Sequence, residues 1–476
     1  MTQTPLFLHA ILFAFQEDSL SILPLHHKKI KTMRRKPNSD LNRRSFLRVS
    51  AAGLLGAGLS ANTASLYKST GQEIPQIEEF RSLGSTGFRV SCISAGSSNR
   101  AERFHDNLLK TGINLLDTSP EYNNEETVGK AIANVDRESV FVIVKFFPKV
   151  IKEWLEYYPF TKEDVLKSFH SSLEKINTGY ADCFMLQSAS SSELVKNRAF
   201  HEAFEQLKRE NKARYCGIAC HGHYWLDETR ETMEQICQTA IDDGRIDIIL
   251  LVYNFMQYDE GERILRACHN KGIGTLVMKG DPIPRYRSAL NLLDGMFGGA
   301  MPDGTPTRIT DKFKKEIMDF EKFLETRGIA DENEIHDSAV KFVLNNPYVN
   351  SYLYGFGSYE LIDRIVPLSG QEFTTRDSEL LSSYEKNCGS MYCRHACGIC
   401  EPACPHKIPV NDLLRYRHYN VGNGDEAYAL RQYNGSDGPK ADKCFDCEGF
   451  CEKACPYGVY ARSMLIDAHC GLNLKG

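Results

Sequence analysis

Eight cysteines near the C-terminus fall into two runs whose spacing suits metal chemistry. The first run is Cys393-x3-Cys397-x2-Cys400-x3-Cys404, the second is Cys444-x2-Cys447-x3-Cys451-x3-Cys455, and a proline follows each run. Thiolates two or three residues apart on a turning backbone can point at one soft metal centre. The sequence therefore predicts two metal-binding segments in this part of the chain.

The Cys-Pro ending favours iron–sulfur clusters over other uses of these thiols. It is typical of the bacterial ferredoxin run C-x2-C-x2-C-x3-C-P, from which each run differs by one inserted residue. Structural zinc sites would need only four closely spaced cysteines each, and disulfide frameworks are typical of much shorter secreted chains. Both alternatives stay open. We predict two [4Fe–4S] clusters, with the fourth cysteine of each run binding the other run's cluster.

A second group of polar residues ends predicted strands in the middle of the chain. Asp117 ends the second strand, with Tyr122 just after it, while Lys145 and Gln187 end the third and fourth. We expect the ammonium group of Lys145 to lower the pKa of Tyr122, and Asp117 to hold the lysine. These residues predict a proton donor; an ion pair at the rim beside an unrelated tyrosine is the alternative.

Short apolar runs alternate with amphipathic helical patterns from about residue 81 onwards. The predicted strands are Val90–Ala95, Ile113–Asp117, Val140–Phe146, Cys183–Gln187, Arg214–Ala219, Ile248–Tyr253, Gly274–Met278 and Ser351–Tyr354. Near-continuous apolar runs are typical of parallel strands buried on both faces, and eight strand–helix units fit a (β/α)8 barrel. The alternative, a doubly wound nucleotide-binding fold, needs a glycine-rich motif after the first strand that only Gly96-Ser97-Ser98 could supply.

The predicted fold class is therefore α/β: a (β/α)8 TIM barrel followed by a small ferredoxin-like iron–sulfur domain. We assign the barrel to residues 78–370 and the iron–sulfur domain, with both cysteine runs, to residues 371–476.

In these residues the chain resembles the aldo-keto reductase superfamily. The signatures are Arg81-x-Leu83-Gly84-x-Thr86-Gly87, Asp117-Thr118-x-x-x-Tyr122 with Glu125 or Glu126 and Gly129, and the position of Lys145. The chain is most similar to the branch with a C-terminal ferredoxin-like extension, from about residue 80 to 465. The resemblance implies hydride transfer between NADP(H) and a small carbonyl or alcohol substrate. Tyr122 would be the general acid and Tyr253 would stack on the nicotinamide.

The resemblance also implies further nucleotide-binding residues, and it has departures. The implied positions are Ala219, Cys220, His221, Lys279, Gly355, Gly357 and Ser358. Gln187 replaces the family's catalytic histidine, Ala219 replaces a serine, and Leu250 replaces a glutamine. Leu361 and Ile365 replace residues that hold the adenosine end. An alternative is therefore an iron–sulfur redox or scaffold protein whose barrel has lost nucleotide-dependent turnover. Clusters that carry electrons would also need a redox partner protein.

The N-terminal part of the chain predicts export. Asn42-Arg43-Arg44-Ser45-Phe46-Leu47-Arg48 precedes a mildly apolar run, which is typical of a twin-arginine signal, here residues 33–68. Residues 1–32 are interpreted as a start-site artefact or an extension. The expected partner is the twin-arginine export machinery, and the expected location is the periplasm. Anchoring to the membrane by an uncleaved signal is the alternative.

The charge distribution argues against nucleic acid as a partner. Residues 1–68 hold ten of the 57 Lys and Arg but only three of the 62 Asp and Glu, so the remainder has a formal net charge of −12. An acidic body of this kind repels phosphate backbones.

Overall fold

Eight parallel strands close into the barrel that the sequence predicts. The computed structural model describes residues 73–96, 102–148, 159–223, 230–284, 308–422, 426–435 and 438–474. Its strands are β1 (Phe80–Ser82), β2 (Arg89–Ser91), β3 (Ile93–Ala95), β4 (Leu115–Asp117), β5 (Phe141–Phe146), β6 (Ala181–Leu186), β7 (Ala213–Cys220), β8 (Ile248–Val252), β9 (Gly274–Met278) and β10 (Ser351–Tyr354). Strands β3 to β10 pair in chain order, and β10 pairs with both β9 and β3 to close the ring.

One predicted strand is divided in two. Val90–Ala95 was expected to be a single barrel strand, but β2 pairs antiparallel with β1 and only β3 joins the barrel. The change of partner occurs at Cys92, whose N–H donates to the Glu79 carbonyl while its own carbonyl accepts from Tyr352 N–H. The resulting β1–β2 hairpin sends Leu83 into the barrel interior.

Helices cover the outside of the barrel and form the C-terminal extension. Within the described residues they are α1 (Glu102–Lys110), α2 (Glu125–Ile132), α3 (Lys162–Ile176), α4 (Ser192–Val195), α5 (Arg198–Arg209), α6 (Met233–Asp243), α7 (Asp259–Lys271), α8 (Arg308–Arg327), α9 (Asn333–Asn345), α10 (Tyr359–Ile365), α11 (Thr375–Cys388), α12 (Val410–Arg417), α13 (Glu426–Gly435), α14 (Phe450–Ala454) and α15 (Ala461–Leu472). Reciprocal side-chain to backbone hydrogen bonds begin α3, α6 and α11, which fixes where those helices start. In this part of the chain no helix is long and apolar enough to cross a bilayer.

Alternation along each strand separates an inner core from an outer core. Phe141 and Ile143 of β5 and Cys183 and Met185 of β6 fill the interior, whereas the residues between them pack under the helices. The alternation of inward and outward side chains continues past the last apolar residue of a strand. Polar residues at the strand ends therefore face either the barrel mouth or the helical layer according to their position in the alternation.

The C-terminal extension packs on the barrel by its first cysteine run. Described residues 375–474 of the extension contain α, 3-10 and π-helical turns and no strand. His395 exchanges two hydrogen bonds with the Gln257 side chain, and the Arg394 guanidinium donates to the Met256 carbonyl, so the loop after β8 holds this run. Barrel and extension residues both belong to one compact unit, residues 63–476. The boundary at residue 370 stays a prediction, and the twin-arginine segment lies outside the described residues.

Candidate active site at the barrel mouth

Asp117, Tyr122 and Lys145 form one hydrogen-bonded group at the C-terminal ends of β4 and β5. The Lys145 Nζ atom donates to Asp117 Oδ2 at 2.5 Å and to the Tyr122 hydroxyl at 3.1 Å. Asp117 and Lys145 are 4% and 1% exposed, so the pair is removed from water. Both continue the inward alternation of their strands, with Leu115 before Asp117 and Ile143 before Lys145. The strands therefore aim the ion pair into the mouth.

Burial controls the protonation of this group. It raises the pKa of Asp117 against the effect of Lys145, and it lowers the pKa of Lys145 against the effect of Asp117. Burial also raises the pKa of Tyr122 well above 10, with further increases from the charges of Asp117, Tyr419 and Glu121. The expectation that Lys145 lowers the pKa of Tyr122 is wrong here, because burial dominates. Tyr122 is accordingly kept as a neutral phenol that can donate a proton.

Gln187 lies beside this group with its amide oriented. It continues the inward alternation of Cys183 and Met185 on β6, and it is 8% exposed. The Ser119 hydroxyl donates to Gln187 Oε1 at 2.5 Å. Because the amide oxygen is the acceptor in this bond, the amide N–H groups form the donor end of the side chain. Gln187 can thus donate to a substrate oxygen but cannot exchange a proton with it.

Two residues expected to bind the nucleotide do not face the mouth. The ring of Tyr253 lies in the outer core, stacked on Phe342 at 5.5 Å, and its hydroxyl donates to Glu262 Oε1 at 2.5 Å. Cys220 is fully buried in the same layer beside Cys237. Both residues continue the outward alternation of their strands. The expected stacking of Tyr253 on a nicotinamide is therefore not possible in this arrangement.

The other implied nucleotide residues lie on or beside the strand ends. Ala219 faces the barrel interior, and the His221 ring lies 6.2 Å from that of His395. Lys279 has a positive φ of 57°, a turn that redirects the chain after β9. Gly355 and Gly357 follow β10, and the Ser358 side chain caps α10 by accepting from Leu361 N–H.

Residues of the extension also reach the mouth, and sequence reasoning did not identify them. Tyr419, in the π-helical turn His418–Gly422, lies with its ring 4.5 Å from the Lys279 ammonium. The Tyr392 hydroxyl accepts from Asn254, which follows β8, at 3.4 Å. The run Arg415-Tyr416-Arg417-His418-Tyr419 was the available signal, since cationic and aromatic residues alternate in it.

The eight cysteines form two groups that exchange their last members. Cys393, Cys397, Cys400 and Cys455 line one cavity. In the other group, burial first and then the charges of Cys451, Cys404 and Cys447 together raise the pKa of Cys444 to about 12. The last cysteine of each run thus lies with the other run.

Hydrogen bonds also reach the sulfur atoms of both groups. Asn411 Nδ2 donates to Cys393 Sγ at 3.2 Å, and the N–H groups of Ile408 and Gly449 donate to Cys404 and Cys447. Within the described ranges, no three His, Cys, Asp or Glu side chains are close enough to hold a single metal ion.

Comparisons with known proteins find a family model, related sequences and related structures. Residues 91–384 match the model of the Aldo/keto reductase family. The chain is 26% identical to L-galactose dehydrogenase of Arabidopsis thaliana over 328 residues, 64% of this chain and 93% of the relative. It is 29% identical to an NADH-specific methylglyoxal reductase of Escherichia coli over 178 residues, 34% of this chain and 51% of the relative. The holo form of the aldo-keto reductase AKR11C1 from Bacillus halodurans matches with 21% identity and a TM-score of 0.43, covering 65% and 95% of the two chains.

Proposed function

Because the chain belongs to the aldo/keto reductase family and is an oxidoreductase, we propose that it transfers hydride between NADP(H) and a small carbonyl or alcohol substrate. The observation that carries this proposal is the hydrogen-bonded group in which the buried Asp117–Lys145 pair holds the half-buried Tyr122. Relatives named as a sugar dehydrogenase and a methylglyoxal reductase favour a small, polar substrate.

The side chains at the mouth can perform the proton transfer of this reaction. Tyr122, held neutral by burial, donates its proton to the carbonyl oxygen during reduction and takes it back during oxidation. Lys145 holds the Tyr122 hydroxyl at 3.1 Å and would stabilise the phenolate as it forms. Gln187 would orient the same substrate oxygen through its amide N–H groups.

The residues that would hold the nucleotide fit it only in part. The turn Gly355–Ser358 ahead of α10 and the cation Lys279 suit phosphate oxygens, whereas Tyr253 and Cys220 face the outer core. When bound, the nicotinamide would supply or accept the hydride. The choice of NADP(H) over NADH rests on the resemblance alone, and the Escherichia coli relative, whose name specifies a nucleotide, is called NADH-specific.

Two [4Fe–4S] clusters in the extension are the second part of the proposal. Support comes from the crossed grouping of the thiols and from the N–H donors directed at their sulfur atoms. Cysteines on a cluster each bind a different iron, whereas the four ligands of one zinc all lie about 2.3 Å from the same ion. The crossed grouping favours the ferredoxin arrangement, in which the fourth cysteine of each run binds the other run's cluster. The test is iron and sulfide analysis of anaerobically purified protein, with about eight of each expected and stoichiometric zinc as the contrary result.

Export through the twin-arginine route is the third part, and it rests on the sequence of residues 42–61. Folded export suits a chain that must first receive clusters. Replacing Arg43 and Arg44 together by lysine should keep the protein in the cytoplasm, while translation from Met33 should leave export unchanged. Periplasmic recovery of the double-lysine variant would contradict the proposal.

Substitution of Tyr122 tests the reductase activity. Tyr122→Phe keeps the ring and removes the acid, so turnover of a small aldehyde should fall by about 10²–10⁴-fold. Turnover should fall by a similar factor in Lys145→Met. The double variant should lose little more activity, because the two residues act as a unit. Full activity in Tyr122→Phe would refute the assigned role.

A cluster-bearing protein without nucleotide turnover is the second candidate. It is favoured by the contact between the Tyr419 ring and Lys279, because Lys279 is a cation expected to hold the nucleotide. Calorimetric titration of the intact protein with NADPH separates the two candidates. Saturable binding supports the reductase, and its absence at millimolar NADPH supports the second candidate.

A further inference from the structure

A series of three hydrogen-bonded side chains lies between the first cysteine run and the barrel mouth. Asn411 and Arg415 belong to α12, and Tyr419 belongs to the π-helical turn that directly follows this helix. We infer that the series couples the redox state of the cluster bound by Cys393 to the side chains at the mouth, so that each changes the other. The inference rests on the cluster part of the proposed function and goes beyond it, because it assigns a connection between the two sites.

Asn411 is the member of the series that contacts the cluster ligands. Its Nδ2 atom donates to Cys393 Sγ at 3.2 Å and to the Arg394 carbonyl at 2.6 Å, and its Oδ1 atom accepts from Ala396 N–H at 2.9 Å. The Arg394 carbonyl requires a donor and the Ala396 N–H requires an acceptor, so these two backbone groups fix which end of the amide faces the sulfur. Hydrogen bonds to the sulfur atoms are among the factors that set the reduction potential of a cluster.

Arg415 lies at the oxygen end of the same amide. Its Nη2 atom donates to Asn411 Oδ1 at 2.7 Å, and the guanidinium also donates to the Tyr419 hydroxyl. A cation at the oxygen of an amide polarises the whole group, which makes the N–H groups at its other end stronger donors. The strength of the N–H···S bond therefore depends on how Arg415 is shared between Asn411 and Tyr419.

Tyr419 carries the series to the barrel. The ammonium group of Lys279, just after β9, lies 4.5 Å from the centre of the Tyr419 ring and is also hydrogen-bonded to this side chain. The charge of Tyr419 reaches Tyr122, whose hydroxyl accepts from Lys145 at 3.1 Å. A nucleotide phosphate or a substrate that draws Lys279 away from Tyr419 therefore leaves the tyrosine more dependent on Arg415.

Reduction of the cluster and events at the mouth thus act on the same guanidinium. One-electron reduction, [4Fe–4S]²⁺ + e⁻ → [4Fe–4S]⁺, adds negative charge at the sulfur atoms and makes Cys393 a better acceptor. This favours the arrangement in which Arg415 stays on Asn411 and holds Tyr419 less strongly. Because coupling between two sites is reciprocal, whatever strengthens the bond from Arg415 to Tyr419 must disfavour reduction of this cluster.

Potentiometric titration of the intact, cluster-loaded protein, followed by electron paramagnetic resonance, tests the inference without turnover or nucleotide. Tyr419→Phe removes the competing acceptor, so it should raise the equilibrium constant for reduction of the first cluster by about two- to tenfold, the range expected for one hydrogen bond. A tenfold change corresponds to about 59 mV for a one-electron couple. Lys279→Met should shift the constant in the opposite direction, because Tyr419 then depends more on Arg415. The potential of the other cluster should stay as in the wild type.

Asn411→Leu tests whether the effect passes through the series. It nearly keeps the volume of the side chain but removes the donor to the sulfur, so it should lower the equilibrium constant by about tenfold. In the double variant, Tyr419→Phe should then have no further effect on the first cluster. Asn434→Leu is the matched control: this amide lies on α13 and donates to the carbonyls of Leu430 and Leu472. Both potentials should be unchanged in it.

Three results of the titrations would overturn the inference. They are wild-type potentials in both Tyr419→Phe and Lys279→Met, equal shifts of the two clusters, and an undiminished effect of Tyr419→Phe in the Asn411→Leu background, which would assign the effect to a field through space. Stoichiometric zinc in place of iron would overturn it as well, together with the cluster proposal. Failure of the reductase proposal is a different result, the absence of NADPH binding, and the expected shifts would support the inference even then. If Asn411→Leu does not fold, the opposite shifts in the two mouth variants decide the matter, since Tyr419→Phe removes a single hydroxyl.

Discussion

The ammonium group of Lys279 lies 4.5 Å from the centre of the Tyr419 ring. Lys279 follows β9 of the barrel and Tyr419 belongs to the extension, so a cation–π contact joins the two at the mouth. Burial by itself raises the pKa of Tyr419, but the charges of Lys279 and Arg415 outweigh burial, and the net pKa is lowered. The extension thus supplies a second tyrosine close to Tyr122, and its pKa is lowered whereas that of Tyr122 is raised.

The pH dependence of carbonyl reduction should reveal this second tyrosine. Reduction needs the protonated form of Tyr122, whose pKa is raised well above 10, first by burial and then by charges that include Tyr419. The rate should therefore not fall through loss of this proton between pH 7 and 10. Tyr419→Phe removes one of the charges, so the alkaline fall in kcat/KM should move to lower pH.

Tyr428→Phe is the control for this measurement. Tyr428 lies on α13, and the centre of its ring is 5.4 Å from that of Tyr419. Its pH profile should match that of the wild type. An unchanged profile in Tyr419→Phe would mean that the two phenols do not interact.

Ser119 should control how Gln187 serves the substrate. Ser119→Ala removes the hydroxyl that donates to Gln187 Oε1 at 2.5 Å, and the amide can then rotate. We expect kcat for a small aldehyde to fall by about three- to tenfold with little change in KM, as for the loss of one neutral hydrogen bond. Gln187→His restores a titratable donor and should raise activity in wild type and Ser119→Ala alike. A Ser119→Ala enzyme with wild-type kcat would contradict this orienting role.

Serine substitutions of the two fourth cysteines should have crossed effects. Cys455 lines the cavity formed with Cys393, Cys397 and Cys400, so Cys455→Ser should alter the electron paramagnetic resonance signal of that cluster. Cys404→Ser should alter the signal of the other cluster, since Cys404 acts on Cys444.

Cys470→Ser serves as the control, since this half-buried thiol belongs to neither group, and both signals should persist in it. If each substitution changed only the cluster of its own run, the exchange of ligands would be refuted.

The barrel strands could be predicted because each is indicated by a pattern of neighbouring residues in the sequence. Strands such as Gly274–Met278 are buried on both faces, and their continuous apolar runs are visible in the sequence. The same alternation places Asp117, Lys145 and Gln187 on the inward side. Applied to β8, it would also have placed Tyr253 on the outward side together with Leu251. The wrong expectation for Tyr253 came from the resemblance, and the strand period already contradicted it.

The contribution of the extension could not be predicted in this way. Tyr419 and Lys279 are 140 positions apart, and no periodic pattern connects a π-helical turn to a strand end. The division of Val90–Ala95 has a similar origin, because β2 and β3 are separated by their pairing partners, which an apolar pattern along the chain does not specify. Sequence patterns indicate which face is apolar, whereas pairing partners across the chain depend on the closed fold.

Asp377 should stabilise the start of the extension in a pH-dependent manner. Its carboxylate accepts from Thr374 N–H at 2.8 Å and from Ser338 Oγ at 2.7 Å, and it pairs with Lys341 at 2.5 Å. Burial raises its pKa, but these hydrogen bonds outweigh burial and lower the pKa from 3.8 to about 2. Since the pKa is lower in the folded state, the stabilisation is complete above about pH 3.8 and is lost as the pH falls towards 2.

Asp377→Asn should therefore lower the free energy of unfolding by about 1–3 kcal/mol at pH 7, measured by urea denaturation. The loss should shrink as the pH falls below 3.8, because the wild-type carboxylate is then progressively protonated. Asp164→Asn is the matched control: Asp164 makes the equivalent capping bonds to Thr161 at the start of α3 but is exposed to solvent. Its effect should be clearly smaller, because water replaces the lost bonds. Equal effects of the two substitutions would show that the helix cap alone matters, and that the bonds to Ser338 and Lys341 contribute nothing.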